Sequence, residues 1–147
     1  MLLNFVMGLS MMALCLLLQG MLVVAALRFY AYRQERLSST FLIAMRVTAI
    51  LMVILIVGNM AQVVAWALLF VWLGEFETLS LAVYHSAVNF ATLGYGDIVM
   101  SEKHQLLGPL EAMNGVLMIG VSTAALSRVF AEAVKGWVTP PAGSGSD

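Results

Sequence analysis

From Val47 to Gly74 the chain carries no formal charge, and the same holds from Met1 to Leu27. About 20 consecutive apolar residues in helical form are enough to cross the hydrocarbon core of a bilayer. In that solvent every backbone N–H and C=O must find its partner inside the segment, which commits each run to helix. Hydrophobic residues fill 62% of the 147 positions and charged ones 10%, against about 25% charged in soluble domains. A soluble core has no use for so much apolar surface. The chain reads as an all-α integral membrane protein.

Residues 1–27 are the expected first transmembrane helix. A cleaved signal needs a basic start and a shorter apolar centre; Met1-Leu2-Leu3-Asn4-Phe5 has no base, so the helix reads as retained. Asn4 and Gln19 are expected to face neighbouring helices. Residues 28–40 read as a basic cytoplasmic loop. Arg28, Arg33 and Arg36, with Arg46 just beyond, are four of the seven basic residues, and Phe29, Tyr30 and Tyr32 suit an interface. Short basic loops stay inside, which places the amino terminus outside. An outer helix is expected over 41–73. At about 1.5 Å per residue it is roughly 50 Å long, so it tilts or lays its first turns along the inner interface. Arg46 alone is no voltage sensor, since such helices carry several arginines at helical spacing.

After Glu75-Phe76-Glu77-Thr78 comes an apolar segment too short to cross, which predicts a re-entrant helix over 78–91. Thr78 or Ser80 can cap its start, and Glu75 and Glu77 suit the positive end of its dipole. Its negative end aims at Thr92-Leu93-Gly94-Tyr95-Gly96-Asp97. This hexapeptide offers backbone carbonyls, one hydroxyl, and two glycines free to take conformations barred to other residues. Consecutive carbonyls can then point one way, and four copies around an axis can replace the water shell of a cation. A Gly-Tyr-Gly by itself is no more than a loop glycine pair; the short helix before it supplies the specificity. Residues 98–105 read as an outer loop with Glu102, Lys103 and His104 in solvent. The last helix is expected over 106–131, closing a pore domain of 41–135, with Glu111 and Arg128 reaching the two interfaces. The tail, 136–147, holds Pro140, Pro141 and a Gly-Ser run and reads as disordered. Between residues 75 and 111, the part placed outside, Glu75, Glu77, Asp97, Glu102 and Glu111 face a single Lys103. Such an acidic mouth concentrates cations.

The hexapeptide resembles the selectivity-filter signature of the potassium channel superfamily, with Leu93 where valine is usual. Tyr84 to Ile98 is similar to the pore segment of small bacterial ion channels, and the resemblance covers roughly Phe41 to Phe130. It implies a tetrameric pore built from outer helix, pore helix, filter loop and inner helix, the first helix being an addition. By the same resemblance Thr92 gives its hydroxyl and carbonyl to the innermost K+ position, and Leu93, Gly94 and Tyr95 give the carbonyls above. Gly96 lets the chain exit with its carbonyl toward the outer mouth. Asp97 is implied to brace the filter from behind by bonding a pore-helix aromatic, here Tyr84, while Tyr95 packs outward against the pore helix. Inner helices of the family often carry a hinge glycine. Gly120 matches it better than Gly115, and close helix packing is an equal explanation for either. Ser122 or Thr123 lines a wet cavity or bonds the preceding turn. The chain departs from the pattern at Ala91, His85, Asn89 and Met100, where threonine, an aromatic, a small hydroxyl residue and proline are common.

What the resemblance implies is a passive, potassium-selective homotetramer in the cell (inner) membrane, with the carboxyl terminus cytoplasmic. K+ is the transported ion, and no organic cofactor is expected. The partners are the lipid bilayer and, unless opening is intrinsic or driven by lipid or tension, a separate regulatory subunit. The competing readings are a poorly selective monovalent cation channel, the pore subunit of a potassium transporter, and a non-conducting membrane adaptor. An enzyme is disfavoured because the apolar segments hold no nucleophile–base pair or metal cluster. The net charge of −1 offers no face to nucleic acid. Two histidines and Cys15 argue against a structural zinc site. His85 and His104 have the chemistry of a pH sensor but read as spectators.

Overall fold

The computed structural model describes residues 1–36 and 41–138. It contains α1 (Leu2–Arg36), α2 (Phe41–Trp72), α3 (Leu79–Phe90) and α4 (Leu107–Val138). Three of these hold spans long and apolar enough to cross a membrane: Leu2–Tyr32, Met45–Trp72 and Leu107–Ala131. The fourth, α3, has 12 residues and is therefore only about 18 Å long, little more than half the hydrocarbon thickness. The order is the expected one of helix, helix, re-entrant helix, helix.

The helix limits differ from those the apolar runs suggested. Arg28–Arg36, read as a connector, continue α1. At the other end α4 runs past residue 131 and takes in 136–138, read as the start of a disordered tail. An apolar run measures the thickness of the membrane, not the length of the helix. Arg, Ala, Gln and Glu are good helix formers, and lengthening an existing helix is far easier than nucleating one. The rest of the connector, 37–40, and the tail beyond 138 lie outside the described residues.

The helices meet in three layers. In the outer one, Cys15 of α1, Trp66, Ala67 and Phe70 of α2, Phe76, Ala82 of α3, and Leu107 and Leu110 of α4 pack together. Below it Val63, Phe90 and Met118 join α2, the end of α3 and α4. In the innermost layer, Ala26, Tyr30, Val47, Leu51 and Val129 come from the three long helices alone. So α3 fills one half of a bundle whose other half is three-helical.

Lipid tails are as apolar as these side chains, so helices associate through close fit and interhelical hydrogen bonds. Such bonds are present. Gln19 Nε2 donates to Ser122 Oγ at 2.6 Å, and Gln62 Nε2 donates to Gln19 Oε1 at 2.7 Å. Ser122 donates in turn to Met118 O at 2.8 Å, and Asn59 Nδ2 reaches the same hydroxyl at 3.4 Å. Gln19 therefore faces its neighbours as expected and ties α1 to both α2 and α4. Ser122 and Thr123 each bond the preceding turn, Thr123 through Ile119 O at 2.9 Å. At the outer end Asn4 donates to Lys103 O, fastening α1 to the outer loop.

Candidate ion-conducting site

Thr78, in extended conformation, caps the start of α3, its Oγ1 accepting from Leu81 N–H at 3.4 Å. At the other end Ala91 is still right-handed, and Thr92 then swings to φ 58°. Thr92 N–H bonds Asn89 O at 2.8 Å, and Leu93 N–H bonds Val88 O at 2.9 Å. This pair of bonds is a Schellman closure, whose left-handed position usually belongs to glycine. Here it holds a β-branched threonine, the one non-glycine residue with positive φ among those described. Holding an L-residue there costs about 1–2 kcal/mol.

The left-handed conformation recurs at Gly94 (φ 58°) and Gly96 (φ 72°), while Leu93 and Tyr95 keep negative φ. In an ordinary strand successive carbonyls point to opposite sides. Reversing the hand at every second residue brings them to the same side, and glycine makes the reversal without strain. Residues 92–97 are all exposed. Tyr95 leaves 65% of its surface uncovered in the single chain.

Behind the loop, Tyr84 Oη donates to Asp97 Oδ2 at 2.7 Å. The bond to Asp97, with burial and charge adding to it, raises the pKa of the phenol above its ordinary value. The next residue, His85, is buried, with Nδ1 3.0 Å from Ile98 O and Nε2 2.8 Å from Asn89 Nδ2. A carbonyl only accepts and an amide nitrogen only donates, so the ring proton sits on Nδ1 and the imidazole is neutral. Burial lowers its pKa, against the pull of the Ile98 carbonyl and of Asp97 and Glu75. Rings of Phe70 and Phe76 pack on it at 5.7 and 4.9 Å. Two adjacent pore-helix residues thus hold two adjacent residues at the exit of the loop. Sequence reading found the first pair and passed over His85; the signal was Asn89, one turn further along the same helix face.

The outer loop is pinned as well. Glu75 accepts from Ser101 N–H at 2.7 Å, Ser101 Oγ at 2.6 Å and His104 Nδ1 at 2.5 Å. Burial would raise the Glu75 pKa, but the bonds from Ser101 and His104 outweigh it and hold the carboxyl below its usual range. His104 was expected in solvent and is instead buried at 5% exposure. The loop folds back over the end of α2, which the linear sequence does not reveal.

On α4, a Cβ built at Gly115 would lie 2.0 Å from Phe90 O, whereas one at Gly120 meets nothing within 4 Å. Gly115 is where the inner helix touches the backbone of the pore helix, and α4 is continuous through both glycines. Glu111 does not reach the outer interface as expected. It is fully buried beside α3, in contact with Ser86 Oγ, because α3 occupies the depth that the first turns of α4 cross. Among the described residues no group of His, Cys, Asp or Glu side chains is arranged to hold a metal ion.

A bundle of three spanning helices around a re-entrant helix and a carbonyl-rich loop defines a pore-type membrane protein. Residues 60–132 match the family model described as an ion channel, in agreement with the resemblance of the signature to the potassium channel superfamily. The match runs from the outer half of α2 through the loop and most of α4. No curated protein and no solved structure matches the chain.

Proposed function

We propose that the chain is one subunit of a homotetrameric, potassium-selective channel rather than an enzyme. The observation that carries this reading is the alternation of left-handed φ at Thr92, Gly94 and Gly96, set at the negative end of a re-entrant helix. Carbonyls of Thr92, Leu93, Gly94 and Tyr95, with the Thr92 hydroxyl, form successive K+ cages, and the Gly96 carbonyl faces the outer mouth. Potassium sheds its water, enters these cages and moves passively by knock-on between them. Sodium is refused because its larger dehydration cost is not matched by the same dipoles.

One chain supplies one filter strand, and four are needed to close a ring. The exposed Leu93 and Tyr95 support this, as does a hollow of about 640 Å³ beside His85, Asn89, Gly94, Gly96 and Pro109, which a neighbouring copy can cover. The protein lies in the cell membrane with its amino terminus outside, following the basic residues after the first span.

Ion flux from purified protein in liposomes tests the reading, with a potassium gradient and then a sodium gradient. Potassium-selective flux blocked by barium is expected; equal sodium flux transfers support to the poorly selective channel. Gly96→Ala places a side chain at φ 72° and is expected to abolish flux without preventing membrane insertion. Unchanged selective flux in that variant overturns the filter assignment.

A further inference from the structure

Glu111 is a fully buried carboxyl that conduction does not use. Its neighbour Ser86 has one hydroxyl hydrogen and two partners, Val63 O at 2.7 Å and Glu111 Oε1. A backbone carbonyl only accepts. If Ser86 gave its hydrogen to an ionised Glu111, its oxygen would face the oxygen of Val63 with no hydrogen between them. Both contacts are satisfied only when the hydrogen of the second comes from the carboxyl itself.

We propose that Glu111 carries its proton and acts as a hydrogen-bond donor, a positioning residue that fastens the inner helix to the helix behind the filter. The direction of the bonds is then consistent throughout. Glu111 donates to Ser86, and Ser86 donates to Val63 O of the outer helix. The Asn89 amide faces the same carboxyl and donates to His85 Nε2, and His85 donates to Ile98 O at the filter exit. Cys15 of α1 is near enough to feel the carboxyl electrostatically, and none of Ser86, Asn89 and Cys15 is cationic. A buried ionisable group without a counter-charge is costly inside a membrane and marks a functional position. The bonds run from α4 through α3 to α2 on one side and to the loop on the other, so a shift of α4 reaches the filter exit through Asn89 and His85.

The effect on flux rests on the filter reading above, and the proton is read separately. Infrared difference spectra of the full chain in lipid, wild type minus Glu111→Gln, are expected to show the carbonyl band of a protonated carboxyl at neutral pH. A carboxylate band in its place overturns the proposal. Glutamine can donate to Ser86, so Glu111→Gln is expected to keep potassium flux within about twofold, while Glu111→Ala, which leaves the buried Ser86 oxygen without its donor, loses about tenfold or more. Flux as low in the glutamine variant as in the alanine one also overturns it. Hydrogen exchange at the Thr92 and Leu93 amides, which bond Asn89 O and Val88 O, faster in Glu111→Ala and unchanged in Glu111→Gln, reads the fastening without any flux. If wild-type protein conducts nothing, the channel reading fails, and the band and the exchange rates still decide this one. Should Glu111→Ala not assemble, the band and the glutamine variant decide it.

Discussion

The Tyr84 hydroxyl meets Asp97 Oδ2 at 2.7 Å, while the imidazole beside it meets Ile98 O at 3.0 Å. One bond would leave the exit strand free to swivel; two, on consecutive residues, fix its twist as well as its position. Asp97→Asn and Tyr84→Phe are therefore expected to make potassium currents decline faster under sustained activity while the reversal potential in mixed potassium and sodium stays put. A large shift of that potential would place Asp97 in the ion path instead.

Thr92 separates two demands that usually fall on different residues. Its backbone suits glycine, and its hydroxyl suits a cation. Thr92→Gly is expected to raise the thermal stability of the assembly by relieving about 1–2 kcal/mol of strain per subunit, and to weaken potassium over sodium selectivity by removing an oxygen. Unfolding in detergent and reversal potential measure the two effects on one sample. A loss of stability would mean that the hydroxyl, not the φ angle, dominates the energetics.

The two glycines of α4 are expected to behave oppositely. Gly115→Ala drives a methyl group into Phe90 O, and backbone cannot yield as a side chain does; overpacking costs about 1–3 kcal/mol or more, so assembled protein should be scarce. Gly120→Ala meets no atom and gains about 1 kcal/mol of helix propensity. If Gly120 bends during opening, this variant assembles normally and its open probability changes in single-channel records. Normal gating there would leave Gly115 as a packing residue and α4 without a glycine hinge.

Glu75 makes the outer loop sensitive to acid. Its carboxyl has a lower pKa folded than its ordinary value of 4.5. The folded loop therefore binds fewer protons than the unfolded one in that range, and stability falls as pH falls. The contribution is complete above the ordinary value and disappears as pH drops through the lower, folded one. Hydrogen exchange at the Ser101 amide is expected to quicken over that window and to be independent of pH, after correction for intrinsic rate, in Glu75→Gln. A flat wild-type profile would show that the clamp holds without its charge.

The number and order of the helices were legible because a bilayer imposes its thickness on uncharged runs, and the loop was legible because Gly94-Tyr95-Gly96 follows an apolar segment too short to cross. Tyr84 was found because the resemblance implies a pore-helix aromatic bonded to the aspartate after the signature. The long-range partners were not. Glu111 stands only a few residues from a loop, so the chain alone assigns it to the interface; its burial depends on Ser86 of a different helix. His104 looks solvated until the outer loop is seen folding back onto Glu75. The ends of α1 and α4 were misplaced because polarity marks where lipid stops, and helices continue into water.

The amides that bind α1 to its neighbours bear on what the first helix contributes. Gln62 needs an acceptor in hydrocarbon, and Gln19 of α1, which precedes it in the chain, supplies one. α4 follows and brings Ser122 to the other face of Gln19. The first helix thus offers the rest of the chain both an acceptor for Gln62 and a donor for Ser122, and its removal takes both away.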